Sequence, residues 1–177
     1  MSIRLFRFRN PRKQYRRYVR LSKNEGSLLP FYQLLTHSIF LIDIIEAMKT
    51  IKVAAAIIEK DKKILIAKRA YGKQAGFWEF PGGKYEDGEI GEETIIREIK
   101  EEMNIGIEVK RLLCSIEHEY EDFDLQMDCY LCQLKDTDLS LHDHSAIRWI
   151  DPREEIDHLL AADRKALEIY RKEIRHG

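Results

Sequence analysis

The chain has 177 residues, of which 44% are hydrophobic and 34% are charged, and its formal net charge at pH 7 is −1. The composition is that of an ordinary soluble protein, and the chain is long enough to bury one hydrophobic core. The sequence contains neither repeats nor a low-complexity tract. The charge is uneven, since residues 1–47 carry +6 and the remainder −7. The acidic balance of the main body argues against a nucleic-acid polymer as its substrate.

Residues 1–47 combine an arginine-rich stretch with an apolar run that Pro30 and Asp43 interrupt. The run is a poor membrane span for that reason, and it lacks the small-residue cleavage site of a secretory signal. A basic arm with an amphipathic helix could contact a membrane, RNA or a partner protein. We predict that residues 1–47 are an extension of unknown role, or an artefact of start-codon choice, and that the functional domain spans 48–177.

The predicted strands are rich in β-branched and aromatic residues and are bounded by charged or turn-forming residues. They lie at about 51–58, 64–67, 107–120, 125–134 and 146–150, with a short extended piece at 77–80. Asp151-Pro152 ends the last strand and predicts a helix from about 153, and the final helix is expected at 163–175. Strands alternating with helices predict an α/β fold in which helices cover a mixed sheet.

A helix is predicted before residue 105, and three of its carboxylates are grouped together. Glu98, Glu101 and Glu102 stand at i, i+3 and i+4 and therefore share one face, whereas the apolar residues fall on another. Like charges on adjacent turns repel by roughly a few tenths of a kcal/mol per pair. A solvated acidic face is the ordinary interpretation of such a helix, and a site for a hard divalent cation is the functional one.

The loop before this helix contains Gly82 and Gly83 directly after Pro81. Paired glycines allow positive φ and let backbone carbonyls approach an ion or a phosphate closely. The loop and helix would therefore place a carboxylate cluster beside exposed backbone. Mg²⁺ is a suitable partner, because it is usually held by one or two carboxylates together with phosphate oxygens and water.

The pattern Gly83-x5-Glu89-x7-Arg97-Glu98-Ile99-x-Glu101-Glu102-x-Asn104-Ile105 resembles the Nudix box, the signature of hydrolases that cleave a nucleoside diphosphate linked to another group. The resemblance implies a Nudix-type α/β/α sandwich with a mixed β-sheet and a loop–helix–loop metal site, over residues 50–175. It also implies a small-molecule nucleotide substrate and a Mg²⁺ cofactor for which Mn²⁺ substitutes.

The resemblance assigns roles within the box. Glu98 and Glu102 would ligate metal, and Glu101 would be a further ligand or a stabiliser. Arg97 would brace the cluster through a salt bridge to Glu89. The carbonyl oxygen of Gly83 or Gly82 would complete a coordination shell. Asn104 stands where the family has a glycine, and because asparagine also tolerates the left-handed conformation that ends a helix, little changes.

Residues outside the box resemble the MutT branch, which hydrolyses (deoxy)nucleoside triphosphates to monophosphate and pyrophosphate. The matching runs are 66–70 and 78–84, and they make Arg69 and Lys84 candidate nucleotide contacts. Arg69 could equally be the solvated end of a strand.

Two acidic residues are further candidates by the same resemblance. Asp143 would be an additional metal ligand or the catalytic base, with a metal site at the flanking histidines as a weaker alternative. Asp163 would read the edge of the base or cap the last helix, and both roles could coexist. An ionised Asp163 only accepts hydrogen bonds, which would favour cytosine N4 or an N–H edge of oxidised guanine.

Three hypotheses for function remain open at this point. They are a nucleoside triphosphate pyrophosphohydrolase acting on oxidised, modified or CTP-like nucleotides, a dinucleoside polyphosphate or ADP-ribose hydrolase, and a nucleotide-sensing module without activity. Cys129 and Cys132 lack a second pair, so we expect buried free thiols in a cytoplasmic protein and not a zinc site. The number of metal ions and the choice between monomer and homodimer stay open.

Overall fold

The structure is a computed structural model that describes residues 50–135 and 144–176. The helices are α1 (Gly91–Met103) and α2 (Ala161–His176). The strands are β1 (Thr50–Lys60), β2 (Lys63–Arg69), β3 (Trp78–Glu79), β4 (Gly82–Lys84), β5 (Ile107–Glu119), β6 (Asp124–Leu134) and β7 (His144–Ile150). Residues Ile51–His118 belong to one compact unit with the described residues from Leu125 onward. The turn Glu119–Asp124 lies outside that unit and is closed by the Tyr120 N–H, which donates to the Phe123 carbonyl at 2.9 Å.

The seven strands form one sheet in which β3, β2, β1, β6 and β5 are successive neighbours. The two remaining strands attach to this path, β4 to β1 and β7 to β2, and both of these pairings are antiparallel. The register sets Gly83 opposite Ala54 and His144 opposite Arg69. These two pairings bring the glycine loop and the start of β7 to the same region of the sheet as the end of β2.

Helices cover both faces of the sheet, as the alternation of side chains along its strands requires. Ile57 and Ile64 pack with residues of α2, such as Leu167, in one buried cluster. Ile58 and Leu65 point the other way and pack with residues of α1, such as Ile99, in a second cluster. Side chains that are buried on both faces explain why β1 and β2 read as nearly continuous apolar runs.

The hairpin between β1 and β2 turns through two residues with positive φ, Asp61 at 50° and Lys62 at 61°. Two successive left-handed residues are the geometry of a type I′ turn, whose twist matches that of the flanking strands. Because β1 extends to Lys60 and β2 begins at Lys63, both strands are longer than the predicted 51–58 and 64–67.

Helix α1 ends as the sequence predicts. Asn104 adopts φ 54° and ψ 24°, and its backbone N–H donates to the Lys100 carbonyl. This left-handed residue stops the helix directly after Met103, whose side chain is fully buried. The last turn of α1 is thus fixed both by the core and by the cap.

The helix predicted from about residue 153 is wrong. The carboxylate of Asp151 accepts the Arg153 N–H at 2.9 Å, and the chain then continues in turns. The Trp78 N–H donates to the His158 carbonyl and the Leu160 N–H donates to the Trp78 carbonyl, each at 2.9 Å. These bonds commit the segment to pairing alongside β3, so its backbone groups are not available for helical hydrogen bonds.

The mixed α/β architecture agrees with the fold that the sequence implied. The N-terminal extension 1–47, with the domain start at 48, and Asp143 lie outside the described residues. In the described part of the chain, neither helix reaches the length and hydropathy that a membrane span needs.

We expect Asn104→Ala to lower the free energy of unfolding by roughly 1 kcal/mol, because an ordinary side chain is strained at positive φ. Asn104→Gly should leave stability unchanged or raise it, since glycine adopts this conformation without strain. Urea unfolding of the two variants beside the parent protein measures both effects. Equal losses in the two variants would contradict a conformational origin.

Candidate active site

The glycine loop and α1 meet where Gly83 faces Glu98. A Cβ atom built on Gly83 would lie 2.2 Å from Cδ of Glu98 and 2.3 Å from both carboxylate oxygens. The Glu98 carboxylate therefore rests against the Gly83 backbone, with only 16% of its side chain exposed. Gly82 is constrained from the other side, because its φ is 149° and a Cβ there would lie 2.1 Å from the Ala54 carbonyl oxygen. At both positions a neighbouring group lies so close to the backbone that only glycine, which has no Cβ, fits.

Arg97 ties the carboxylates of this region together. Its Nε donates to Glu89 Oε1 at 2.6 Å, and its Nη1 lies 3.0 Å from Glu98 Oε1. Its Nη2 donates to the Lys84 carbonyl at 3.1 Å, which fastens the helix to the loop. The expected ion pair with Glu89 is thus present. Hydrogen bonds from Arg97, together with one from the Glu86 N–H, lower the pKa of Glu89 to about 2.

The three carboxylates of α1 differ in exposure. Glu98 and Glu102 have 16% and 13% of their side chains exposed, whereas Glu101 has 61%. Glu101 lies at the outside, where its Oε2 is 3.2 Å from Arg97 Nη1. Glu98 and Glu102 are therefore the two carboxylates presented at the loop, and Glu101 supports Arg97 from the solvent side.

Glu102 faces a cavity of about 190 Å³ beside the glycine loop. The cavity is built at the meeting point of β2, β3, β7 and α1, and most of its polar lining is charged or ionisable. Its lining residues are Arg69, Ala70, Tyr71, Glu79, Gly82, Glu102 and His144.

Glu79 links the two sides of this cavity. Its Oε2 accepts a hydrogen bond from Arg69 at 2.5 Å, and its Oε1 lies 3.2 Å from His144 Nε2. Partial burial alone would lower the pKa of Arg69, but the charges of Glu79, Glu102 and Asp163 raise it. Arg69, which the sequence indicated as a nucleotide contact, is therefore a fixed cation at the cavity wall.

Asp163 is buried near this wall, with 4% of the residue exposed. Its Oδ1 accepts the Phe80 N–H at 2.7 Å, just before the glycine loop. Helix α2 begins at Ala161, two residues earlier than expected, so Asp163 lies inside the first turn and the expectation that it caps the helix is wrong. Burial, opposed by the bond from Phe80, raises the pKa of Asp163 to about 7.

Lys84, the other nucleotide contact predicted from the sequence, lies apart from the cavity. Lys84 is exposed and does not line the cavity, and its contribution to this region is the backbone carbonyl that Arg97 binds. Among the residues described, no three histidine, cysteine, aspartate or glutamate side chains converge into a complete metal-ligand set. Since Mg²⁺ shares its ligands with phosphate oxygens and water, two protein carboxylates meet the usual requirement.

Glu79 and His144 are not among the candidate residues chosen from the sequence. Glu79 is separated by 65 positions from His144, and strand pairing alone brings them together. Glu79 lies within the run 78–84 that resembles the MutT branch, and this run was the available signal. The sequence indicates His144 only as one of the histidines that flank Asp143, in the weaker alternative of a histidine metal site.

The two cysteines of the Cys-x-x-Cys pair face opposite sides of the sheet. Cys129 packs in the buried cluster with α2 and Cys132 in the cluster with α1. Burial raises the pKa of the Cys132 thiol to about 12, which keeps it protonated and unsuited to metal binding. Because the two side chains lie on opposite faces of the sheet, Cys129 and Cys132 cannot bind one ion together.

A sequence model of the family described as "NUDIX domain" matches residues 53–168. The chain belongs to the Nudix family. The matched range contains the site residues described above, from Ala54 to Asp163.

Individual relatives indicate to which branch of the Nudix family the chain is most similar. A CTP pyrophosphohydrolase of Escherichia coli strain K12 is 38% identical over 125 residues, which make up 70% of this chain and 93% of that protein. An 8-oxo-dGTP diphosphatase of Proteus vulgaris is 36% identical over 47% of this chain and 76% of its own length. The crystal structure of a MutT Nudix hydrolase from Burkholderia pseudomallei matches with a TM-score of 0.63 at 30% identity, covering 68% of this chain and 97% of that one. The chain is a MutT-like Nudix hydrolase that acts on phosphoanhydride bonds of nucleotides.

Gly83→Ala should abolish most of the activity while the domain stays folded. The added Cβ occupies the place of the Glu98 carboxylate, so the carboxylate has to move off the loop. We expect a loss of at least roughly 100-fold in kcat, since misplacement of a reacting group by about 1 Å has that effect. Steady-state kinetics with unfolding curves as the folding control measure it. Retained kcat in a folded variant would contradict the close contact.

Asp163→Asn should change how stability depends on pH. The buried carboxyl of Asp163 keeps its proton up to about pH 7, whereas in the unfolded chain it loses it near pH 4. Stability of the parent therefore falls as pH rises from about 4 to 7, by up to roughly 4 kcal/mol, and levels off above. The neutral asparagine removes this loss, so the variant should be relatively more stable at pH 8 than at pH 4.

Chemical unfolding of both proteins between pH 4 and 8 measures the difference. Asp157→Asn, at an exposed position, is the matched control and should run parallel to the parent. A constant difference between Asp163→Asn and the parent across this range would contradict the raised pKa.

Proposed function

We propose that the protein is a Mg²⁺-dependent nucleoside triphosphate pyrophosphohydrolase. It would release pyrophosphate and a nucleoside monophosphate from oxidised or modified (d)NTPs such as 8-oxo-dGTP, or from CTP-like nucleotides, and so remove unwanted nucleotides from the pool. The observation that carries the proposal is the pair of largely buried carboxylates, Glu98 and Glu102, which lie beside the backbone of Gly82 and Gly83.

The residues present fit a divalent cation. Glu98 and Glu102 offer hard oxygen atoms, and the close contact between Gly83 and Glu98 keeps one of them at the loop. Glu98, Glu102, Asp143 and the carbonyl of Gly83 would hold the ion, with Glu101 as a further ligand or a support. When bound, Mg²⁺ supplies charge neutralisation for the phosphates and a more acidic water as nucleophile.

The chain contributes rigidity to this chemistry. Arg97 contacts Glu89, Glu98 and the Lys84 carbonyl at once, so the carboxylates keep their positions although like charges lie on adjacent turns. Fixed charges that need no rearrangement at the moment of reaction are the main source of rate enhancement in phosphoryl transfer. Asp143 remains our proposal for an additional ligand or the base.

The nucleotide would lie along the cavity wall formed by Arg69. The guanidinium of Arg69 lies 2.5 Å from the Glu79 carboxylate and presents a permanent positive charge to a phosphate. Lys84, which is exposed beside the loop, would add a second. Asp163 would read the base edge, and with a pKa of about 7 its neutral form donates as well as accepts. Asp163 could therefore bind base edges that carry acceptors as well as those that carry donors, whereas an ionised carboxylate would bind only donors.

Two of the relatives are a CTP pyrophosphohydrolase and an 8-oxo-dGTP diphosphatase, and their names support this substrate class. The alternative of ADP-ribose hydrolysis rests on an ADP-ribose pyrophosphatase of Methanocaldococcus jannaschii, 51% identical over 57 residues that make up only 34% of that protein. A match of this length covers a segment and not a whole substrate site. The nucleotide triphosphate is therefore favoured.

A panel assay separates the hypotheses. The full chain is incubated with Mg²⁺ and with CTP, 8-oxo-dGTP, the common dNTPs, a dinucleoside polyphosphate or ADP-ribose, and the products are resolved by chromatography. We expect pyrophosphate and monophosphate from CTP or 8-oxo-dGTP at the highest kcat/KM. Turnover of only ADP-ribose or the dinucleoside compound, or of no nucleotide, would overturn the proposal.

Glu102→Gln should lower kcat by roughly 100-fold or more with the fold intact, because a lost metal ligand removes several kcal/mol of charge stabilisation. Glu101→Gln should cost clearly less, since that side chain is 61% exposed. Glu92→Gln, on the exposed surface of the same helix, is the control and should match the parent. Unchanged turnover in Glu102→Gln would refute the metal assignment.

A further inference from the structure

His144 is a buried histidine in the wall of the cavity beside Glu102. Its side chain is 3% exposed, and its two ring nitrogens have different surroundings. Nε2 lies 3.2 Å from Glu79 Oε1, whereas Nδ1 has no hydrogen-bond partner among the residues that the structure describes. A buried polar atom without a partner is unfavourable, so a ligand bound at Nδ1 would stabilise this arrangement.

The contact with Glu79 determines what Nδ1 can do. An ionised carboxylate only accepts hydrogen bonds, so the ring proton lies on Nε2 and Nδ1 carries a lone pair in the neutral ring. Nδ1 lies 4.0 Å from Oε2 of Glu102. Two acceptors face each other at a distance too long for a hydrogen bond. A cation placed between them would give Nδ1 of His144 the partner that it lacks among the described residues.

The separation and the chemistry suit one divalent ion. Ligand atoms each about 2.1 Å from a shared ion stand at most about 4.2 Å apart, and 4.0 Å falls within that reach. Histidines that bind metal usually donate their other ring N–H to a carboxylate, which fixes the ring. Glu79 makes this contact here, and Arg69 in turn holds Glu79.

We propose that His144 Nδ1 is a nitrogen ligand of a divalent cation held together with Glu102, and that Glu79 is the positioning residue that orients the ring. The proposal rests on the use of a divalent cation at Glu102. It adds that the site has mixed nitrogen and oxygen character. Because imidazole binds first-row transition ions better than Mg²⁺, the site should prefer Mn²⁺ over Mg²⁺ more strongly than carboxylates alone would.

The test uses the full-length protein with Mn²⁺ and needs no turnover. Pulsed electron paramagnetic resonance detects a nitrogen bound directly to Mn²⁺ through its coupling to the ¹⁴N nucleus. We expect this coupling in the parent protein and its absence in His144→Gln, whose amide still reaches Glu79 but lacks Nδ1. Titration should show Mn²⁺ binding weakened by roughly 10–100-fold in His144→Gln and also in Glu79→Gln.

His118→Gln is the matched control, since His118 does not line the cavity, and it should keep both the coupling and the affinity. Parent protein that binds Mn²⁺ in a Glu102-dependent way without ¹⁴N coupling would overturn the His144 proposal alone. Tighter Mn²⁺ binding in His144→Gln would overturn it as well, because it would mean that the ring is a positive counter-charge. Failure of the parent to bind Mn²⁺, or binding that Glu102→Gln leaves unchanged, would overturn both this proposal and the metal assignment.

Discussion

The site depends on one arginine that holds mutually repelling carboxylates in place. Arg97 lies between Glu89, Glu98 and Glu101, and it also binds the Lys84 carbonyl of the glycine loop. Without this cation, like charges on successive turns would weaken α1 and push its carboxylates toward solvent. The pairing keeps the acidic face compact, and it leaves Glu98 pressed against Gly83 where no other residue would fit.

The register of the strands fixes the positions of the side chains that line the cavity, as Arg97 fixes those of the carboxylates on α1. The pairing of β2 with β7 sets His144 opposite Arg69, and the pairing of β2 with β3 sets Glu79 opposite Ala67. A slip by one residue would turn each of these side chains to the other face of the sheet. The buried clusters on both faces forbid such a slip, so the apolar core fixes the positions of the polar residues.

Features that depend on local spacing could be predicted from the sequence, including α1 and its left-handed end at Asn104. The ion pair of Arg97 with Glu89 was expected from the resemblance to the Nudix box, and it is present. Features that depend on distant pairing could not be predicted. Glu79 and His144 meet only through the sheet, and nothing in the order of residues states which strands are neighbours. The helix expected after Asp151 failed for a related reason, because Trp78 recruits that segment through bonds that a local pattern does not encode.

The charge around the cavity also constrains how a substrate enters. Arg69 is the one permanently charged basic side chain among the lining residues described, and it faces Glu79 and Glu102. A triphosphate brought into such surroundings alone would meet net repulsion. A substrate of the proposed triphosphate class would therefore arrive with cations, or after cations have bound the carboxylates. Metal and nucleotide are therefore expected to bind cooperatively, since each removes the charge that opposes the other.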